Sequence, residues 1–195
     1  MNPESKSYAV YVSIINLDSE EKVVASISEA INKKTSGAIT ITRCKTIKEL
    51  CGQLAQYFRK GTVARMHLLI DEVDRFLSEI AIDRYEQLQP LVDLRRETTN
   101  NFKFVIAGLH NVCRAKNATA ENGIFGQLGT PLCIKPLSPT DAMQLLSRPL
   151  RYLGFQIDRY PHLETILTNT NYYPGIIQFF GYMLVETLNT QYSKY

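Results

Sequence analysis

Residues Met66 to Ile70 form a short, mostly apolar run, Met-His-Leu-Leu-Ile, that stops abruptly in two adjacent carboxylates, Asp71 and Glu72. A run this short, bounded by charge, suits a buried strand better than a helix. Such a strand needs neighbours, and the sequence offers three. Tyr8 to Ile15 is rich in Tyr, Val and Ile between polar residues, Phe102 to Ala107 is stopped by Gly108, and Leu132-Cys133-Ile134-Lys135 is a short fourth candidate.

Helical patterns fall between these runs. Asp18-Ser19-Glu20-Glu21 supplies a capping residue and first-turn acids, after which Val23, Val24, Ile27 and Ile31 share a face. A second helix is predicted from Thr46, with Ile47, Leu50, Cys51, Leu54, Tyr57 and Phe58 at helical spacing, ending at Gly61. Asp83 to Arg96 is a third, in which Pro90 predicts a kink or a late start. Lys116 to Gly129, rich in Asn, Ala, Thr and Gly, reads as a loop. Ser138-Pro139-Thr140-Asp141 then opens a helical tail, with Ser138 as N-cap, Pro139 at the first position and Asp141 reaching back. Breaks near Gly154 and Tyr173-Pro174-Gly175 divide the tail into three helices. The predicted class is α/β: a mostly parallel sheet with helices on both faces, residues 1–137, followed by a helical subdomain, residues 138–195.

Composition bounds the function. At 195 residues, 45% hydrophobic and 21% charged, the chain can bury a core and is not of disordered type. A net charge of +3 is too mild for a nucleic-acid stripe. The four cysteines, Cys44, Cys51, Cys113 and Cys133, form no CxxC pair and read as reduced, buried thiols. The N-terminal residues lack the apolar core of a signal peptide, and no run reaches the length of a membrane span. A cytoplasmic globular protein is expected. The apolar helix from Ile176 to Leu188 is expected to be buried, in the same chain sooner than against a partner or another domain.

In a parallel sheet, ligands gather beyond the carboxyl ends of the strands, where Asp71 and Glu72 lie. Strand ends also carry acids simply because loops are polar, and these residues alone leave both readings open. Asp74 and Arg75 read as a solvated pair. His110 and Asn111, past the Gly108 turn, could reach a phosphate or an attacking water if the two strands are neighbours; a turn-stabilising role is the alternative. Arg114 is open between a phosphate-directed arginine and a surface one. His67 reads as a packed or edge histidine. No Ser or Cys stands in a G-x-S-x-G context.

Together these pieces resemble a P-loop NTPase of the AAA+ and STAND type, over Tyr8 to about Leu188. Leu68-Leu69-Ile70-Asp71-Glu72 resembles the Walker B motif, Phe104 to Asn111 the sensor 1 strand and its exit, and Pro131 to Asp141 the last strand and turn into the lid. Asn171 to Gln178 is similar to the lid segment carrying Gly-x-Pro, with Tyr172 in the glycine's place and Pro174 retained. The resemblance implies that Asp71 is the magnesium-side acid, Glu72 the catalytic glutamate, and His110 or Asn111 the sensor 1 residue; Arg114 is kept beside them as a candidate nucleotide contact from its position alone. Leu109 departs from the pattern. The phosphate-binding motif G-x-x-x-x-G-K-[ST] is absent from these residues. The expectation is therefore the C-terminal portion of an ATPase module whose parent binds ATP and Mg2+, with weak or no ATP binding by this chain alone. A protein partner or homo-oligomer is compatible with that reading. A degenerate scaffold domain and a nucleic-acid-associated regulator are the alternatives.

Overall fold

The structure, a computed structural model, describes residues 6–79, 87–109, 111–112, 132–155 and 160–192. The chain divides into two compact units, Met1–Pro131 and Leu132–Tyr195.

The first unit holds a three-stranded parallel sheet in the order β1 (Lys6–Ser13), β2 (Val63–Asp71), β3 (Phe102–Ile106). Helices α1 (Glu20–Thr35) and α2 (Ile47–Arg59) connect β1 to β2; α3 (Asp74–Glu79) and α4 (Gln89–Glu97) connect β2 to β3. Caps explain where these helices begin. Thr46 accepts a hydrogen bond from the Glu49 N–H at 3.2 Å, and Glu49 Oε2 accepts from the Lys45 N–H at 2.8 Å. Glu20 of α1 reaches across to accept the Ile47 N–H at 2.7 Å, so one helix caps the next. Pro90 lies in the first turn of α4, where its missing N–H costs nothing; the proline marks a late start rather than a kink.

The register aligns Tyr8 with Met66 and Phe102, Val10 with Leu68 and Phe104, and Val12 with Ile70 and Ile106. These residues face α1 to α4 and join Val24, Ile27, Leu50, Leu54, Leu91 and Val92 in one core. Phe102, fully buried, meets Phe58 edge-on at 6.5 Å between centroids and stacks on Phe104 at 6.0 Å. Packing is close: beneath the carboxyl end of β2 the residual void, lined by Ile14, Ile27, Ile70, Val73 and Phe76 among others, is about 10 Å³, at the limit of what one water needs.

The opposite face corrects the expectation of a sheet covered on both sides. Tyr11, Leu69 and Val105 lie in one row across the three strands and are 61%, 38% and 58% exposed. Ala9, His67 and Lys103 form an exposed row beside them. No described helix of the first unit covers this face. The reason is directional. From β1 to β2 to β3 the chain always advances the same way across the sheet, and right-handed crossovers, about 98% of cases, then place every connecting helix on one side. Among the described residues no strand pairs with the outer edge of β3. The Ala107 N–H donates to Ile70 O at 2.8 Å and the Met66 N–H to Asn101 O at 2.9 Å. By alternation the backbone groups of Phe104 and Ile106 point to the free edge.

The predicted fourth strand does not form. Leu132 to Lys135 has no regular structure, and Leu132 and Ile134 are 92% and 88% exposed. Flanking Pro131 and Pro136 bring no amide hydrogens to a ladder. In the second unit α5 (Pro139–Tyr152), α6 (Tyr160–Asn169) and α7 (Pro174–Tyr192) close around Ala142, Leu146, Leu150, Leu163, Leu167 and Ile177. Ser138 caps α5 as expected, accepting the Asp141 N–H at 3.1 Å, and Asp141 in turn accepts the Ser138 hydroxyl at 2.6 Å. Tyr172, two residues before the first residue of α7, adopts φ 58°, a conformation that glycine holds without strain. The apolar helix is not buried as expected: Ile177 is its one fully buried residue among those described. Cys44 and Cys51 are buried, whereas Cys133 is exposed, against expectation; Cys113 lies outside the described residues.

Candidate functional site

The carboxyl end of β2 gathers the candidate residues. Asp71 closes the strand, and its backbone carbonyl accepts the Ile14 N–H at 3.0 Å, which ties it to the exit of β1. Its carboxylate is held from two sides. Oδ1 accepts the Glu72 N–H at 2.9 Å, and Oδ2 accepts the Tyr11 hydroxyl at 3.0 Å. The hydrogen bond to Asp71 is the main reason the Tyr11 phenol is raised above its ordinary pKa, with slight desolvation and the charges of Asp71 and Glu72 adding to it. Glu72 is exposed and sits at φ 59°, a left-handed conformation uncommon for a residue with a side chain. The chain thus turns sharply at Glu72 and leaves both carboxylates beyond the strand ends.

The exit of β3 is locked alongside. The Val73 N–H donates to Ala107 O at 3.2 Å. Asp74 accepts backbone N–H groups from Leu109 and, at 2.9 Å, from Asn111. The Asn111 side-chain amide returns a bond to Asp74 O at 2.7 Å. Asp74 is therefore a clamp on this loop and not half of a solvated pair with Arg75, whose guanidinium lies 3.5 Å from Asp18. Gly108 is required by space: a Cβ there would stand 2.6 Å from Asp74 Oδ2, 2.8 Å from Val112 Cγ2 and 3.1 Å from Val73 Cγ2.

The strand pairing brings Asp71, Glu72 and Asn111 to one end of the sheet, with the Asn111 amide nitrogen already engaged. His110 and Arg114 lie outside the described residues. Two residues escaped sequence reasoning. Asp74 reads from sequence as half of a solvated pair, and its hold on the Leu109 and Asn111 amides is missed. Tyr11 carried no signal, because its approach to Asp71 depends on strand register. Among the described residues no group of three or more His, Cys, Asp or Glu side chains could hold a metal by itself. Two adjacent carboxylates do suit Mg2+, which takes one or two of them and completes its shell with water and phosphate oxygens.

A groove of about 430 Å³ on the flank of α1, lined by Ser28, Asn32, Lys33, Arg43 and Cys44 among others, is a less promising location. Its Ser28 hydroxyl donates to Val24 O and its Asn32 side chain spans the Ile41 backbone, so these groups serve the fold.

No protein-family model matches the sequence, and comparison with curated proteins finds no match. Among solved structures the chain is similar to a Walker-type ATPase of Pyrococcus abyssi, with a TM-score of 0.53 at 10% identity over 95% of this chain. The chain spans 63% of the length of that protein. This likeness shows the fold: the first unit's sheet and helices are of the P-loop NTPase-like α/β class. No helix among the described residues is long and apolar enough to cross a membrane.

Proposed function

We propose that this chain is the C-terminal portion of an ATP-binding, AAA+/STAND-like ATPase module. In this reading Asp71 is the magnesium-side acid and Glu72 the carboxylate that orients and deprotonates the attacking water. Asp71 would hold Mg2+, which would supply positive charge to offset that of the phosphates. Tyr11 fixes the Asp71 carboxylate, while Asp74 and Asn111 hold the β3 exit beside it; His110 and Arg114 remain the candidates for phosphate contact.

One observation carries the proposal: the uncovered face and the free edge call for the same missing element. A right-handed connection that covers the opposite face has to step backwards across the sheet, from a strand outside β3 to β1. A single strand–turn–helix unit preceding β1 would pair with Phe104 and Ile106, cover Tyr11, Leu69 and Val105, and bring its turn to the strand ends near Asp71. Such a reversal of direction is where open α/β sheets bind ligands, and a helix N-terminus there suits phosphate. In this reading that unit would carry the G-x-x-x-x-G-K-[ST] motif, which these 195 residues do not contain.

Glu72→Gln in a parent that contains the phosphate loop tests the assignment. Expected are retained ATP binding and turnover lowered at least about a hundredfold, the scale of losing a general base. Unchanged turnover would sink the role of Glu72. ATP binding by the present chain as tight as by the parent would sink the division of the site.

A further inference from the structure

We infer that the exposed face of α7 is a self-association surface, and that two copies of this chain pair through antiparallel α7 helices. The inference concerns the second unit and does not rest on the nucleotide reading. Ile176, Phe179, Phe180, Tyr182 and Met183 are 52%, 65%, 39%, 61% and 46% exposed. At 3.6 residues per turn they occupy one continuous arc of roughly 160°, opposite the side that Ile177 buries. With a fully exposed aromatic presenting about 150–250 Å², the five expose roughly 500 Å² per copy. That is as large as the largest apolar patch of a typical monomer. Two copies face to face would bury about 1,000 Å², the lower bound for a specific interface.

The charge pattern selects a second copy as the occupant. Along its whole length α7 has a single charged residue, Glu186, which is exposed and falls on this same arc. Glu186 and the first residue of the helix, Pro174, are equidistant from Phe180, about 9 Å along the axis on either side. A two-fold axis at Phe180 therefore sets Glu186 of each copy against the N-terminus of the other α7, where a negative charge is favourable. The same operation brings Phe179 to within one residue's rise, about 1.5 Å, of Tyr182 in the other copy, and Met183 equally near Ile176, aromatic beside aromatic and flexible apolar beside aliphatic. A parallel arrangement would instead bring the two Glu186 carboxylates together. The surface is complementary to itself in one orientation, as an isologous interface requires.

Sedimentation analysis of the full chain tests this. A dimer is expected at micromolar concentrations. Phe179→Asp, on a largely exposed side chain, should raise the dissociation constant at least roughly thirtyfold, the scale of losing a central aromatic, with helical circular dichroism and melting unchanged. Glu186→Lys should weaken the dimer by a smaller factor. In a background with Cys113 and Cys133 changed to Ser, Phe180→Cys should be joined to itself by a short bismaleimide, and Tyr152→Cys should not. A monomer at about 100 µM would overturn the inference, as would a dimer indifferent to Phe179→Asp or cross-linking at residue 152 but not at 180.

Discussion

Removal of the Asp74 carboxylate should loosen the β3 exit without dismantling the sheet. Asp74 accepts two backbone N–H groups, those of Leu109 and Asn111, and both bonds are charge-assisted. Leu109 is 70% exposed, so water replaces most of its lost bond, worth about 0.5 kcal/mol net. Asn111 is half-buried, and its stranded N–H costs more, about 1–2 kcal/mol. Asp74→Ala should therefore cost about 2 kcal/mol. Asp74→Asn keeps one acceptor oxygen but turns amide hydrogens towards the second N–H, and should lose at least half as much. Asp93→Ala is the control: its partners Gln89, at 2.8 Å, and Arg96, at 4.0 Å, are surface contacts worth less than about 0.5 kcal/mol. Urea unfolding gives the free energies, and hydrogen exchange at the Leu109 and Asn111 amides gives the location. If Asp74→Ala costs no more than Asp93→Ala, or leaves the Asn111 amide equally protected, the clamp is not what holds the loop.

Phe102 is fully buried between Phe58 and Phe104, and Phe102→Ala should destabilise the first unit by about 3–5 kcal/mol in the same assay; a loss under about 1 kcal/mol would contradict its place in the core. Burial pushes the Cys51 thiol up to about 12 and also raises Cys44, so neither should react with a maleimide at pH 8 until the chain unfolds, while exposed Cys133 reacts at once. Mass spectrometry of the labelled chain decides this. For Tyr11 the folded-state pKa is raised, so its contribution to stability is whole below the unfolded value of about 10 and is lost as pH rises through the folded value. The difference in phenolate absorbance between the wild type and Tyr11→Phe should show Tyr11 ionising late, and Asp71→Asn should bring it down. Ionisation at or below the ordinary value would remove the Tyr11–Asp71 hydrogen bond from the account.

The order of elements in the first unit was legible because its strands are short apolar runs between helical periods. What the apolar content concealed was sidedness. Arg65, His67 and Leu69 alternate with buried Met66, Leu68 and Ile70, and Lys103 and Val105 alternate with Phe102 and Phe104. This period of two, not the overall apolarity, carried the information that one face is open. Leu132 to Lys135 shows the converse: a run with strand-like composition forms no strand where nothing pairs with it. At the site, Asp71 and Glu72 could be read from the abrupt end of their strand. The hold of Tyr11 on Asp71 and of Asp74 on the β3 exit could not, because both contacts join segments distant in sequence and depend on register.

The one-way winding of the sheet has a further consequence for how the protein folds. Each strand pairs with the strand next to it in sequence, and each crossover closes before the next begins. Contacts that define the core are therefore of modest sequence separation, and none waits for a strand outside β3. The two βα segments and β3 can collapse in the order in which they leave the ribosome. The three strands and four helices of the described core can therefore form without a fourth strand.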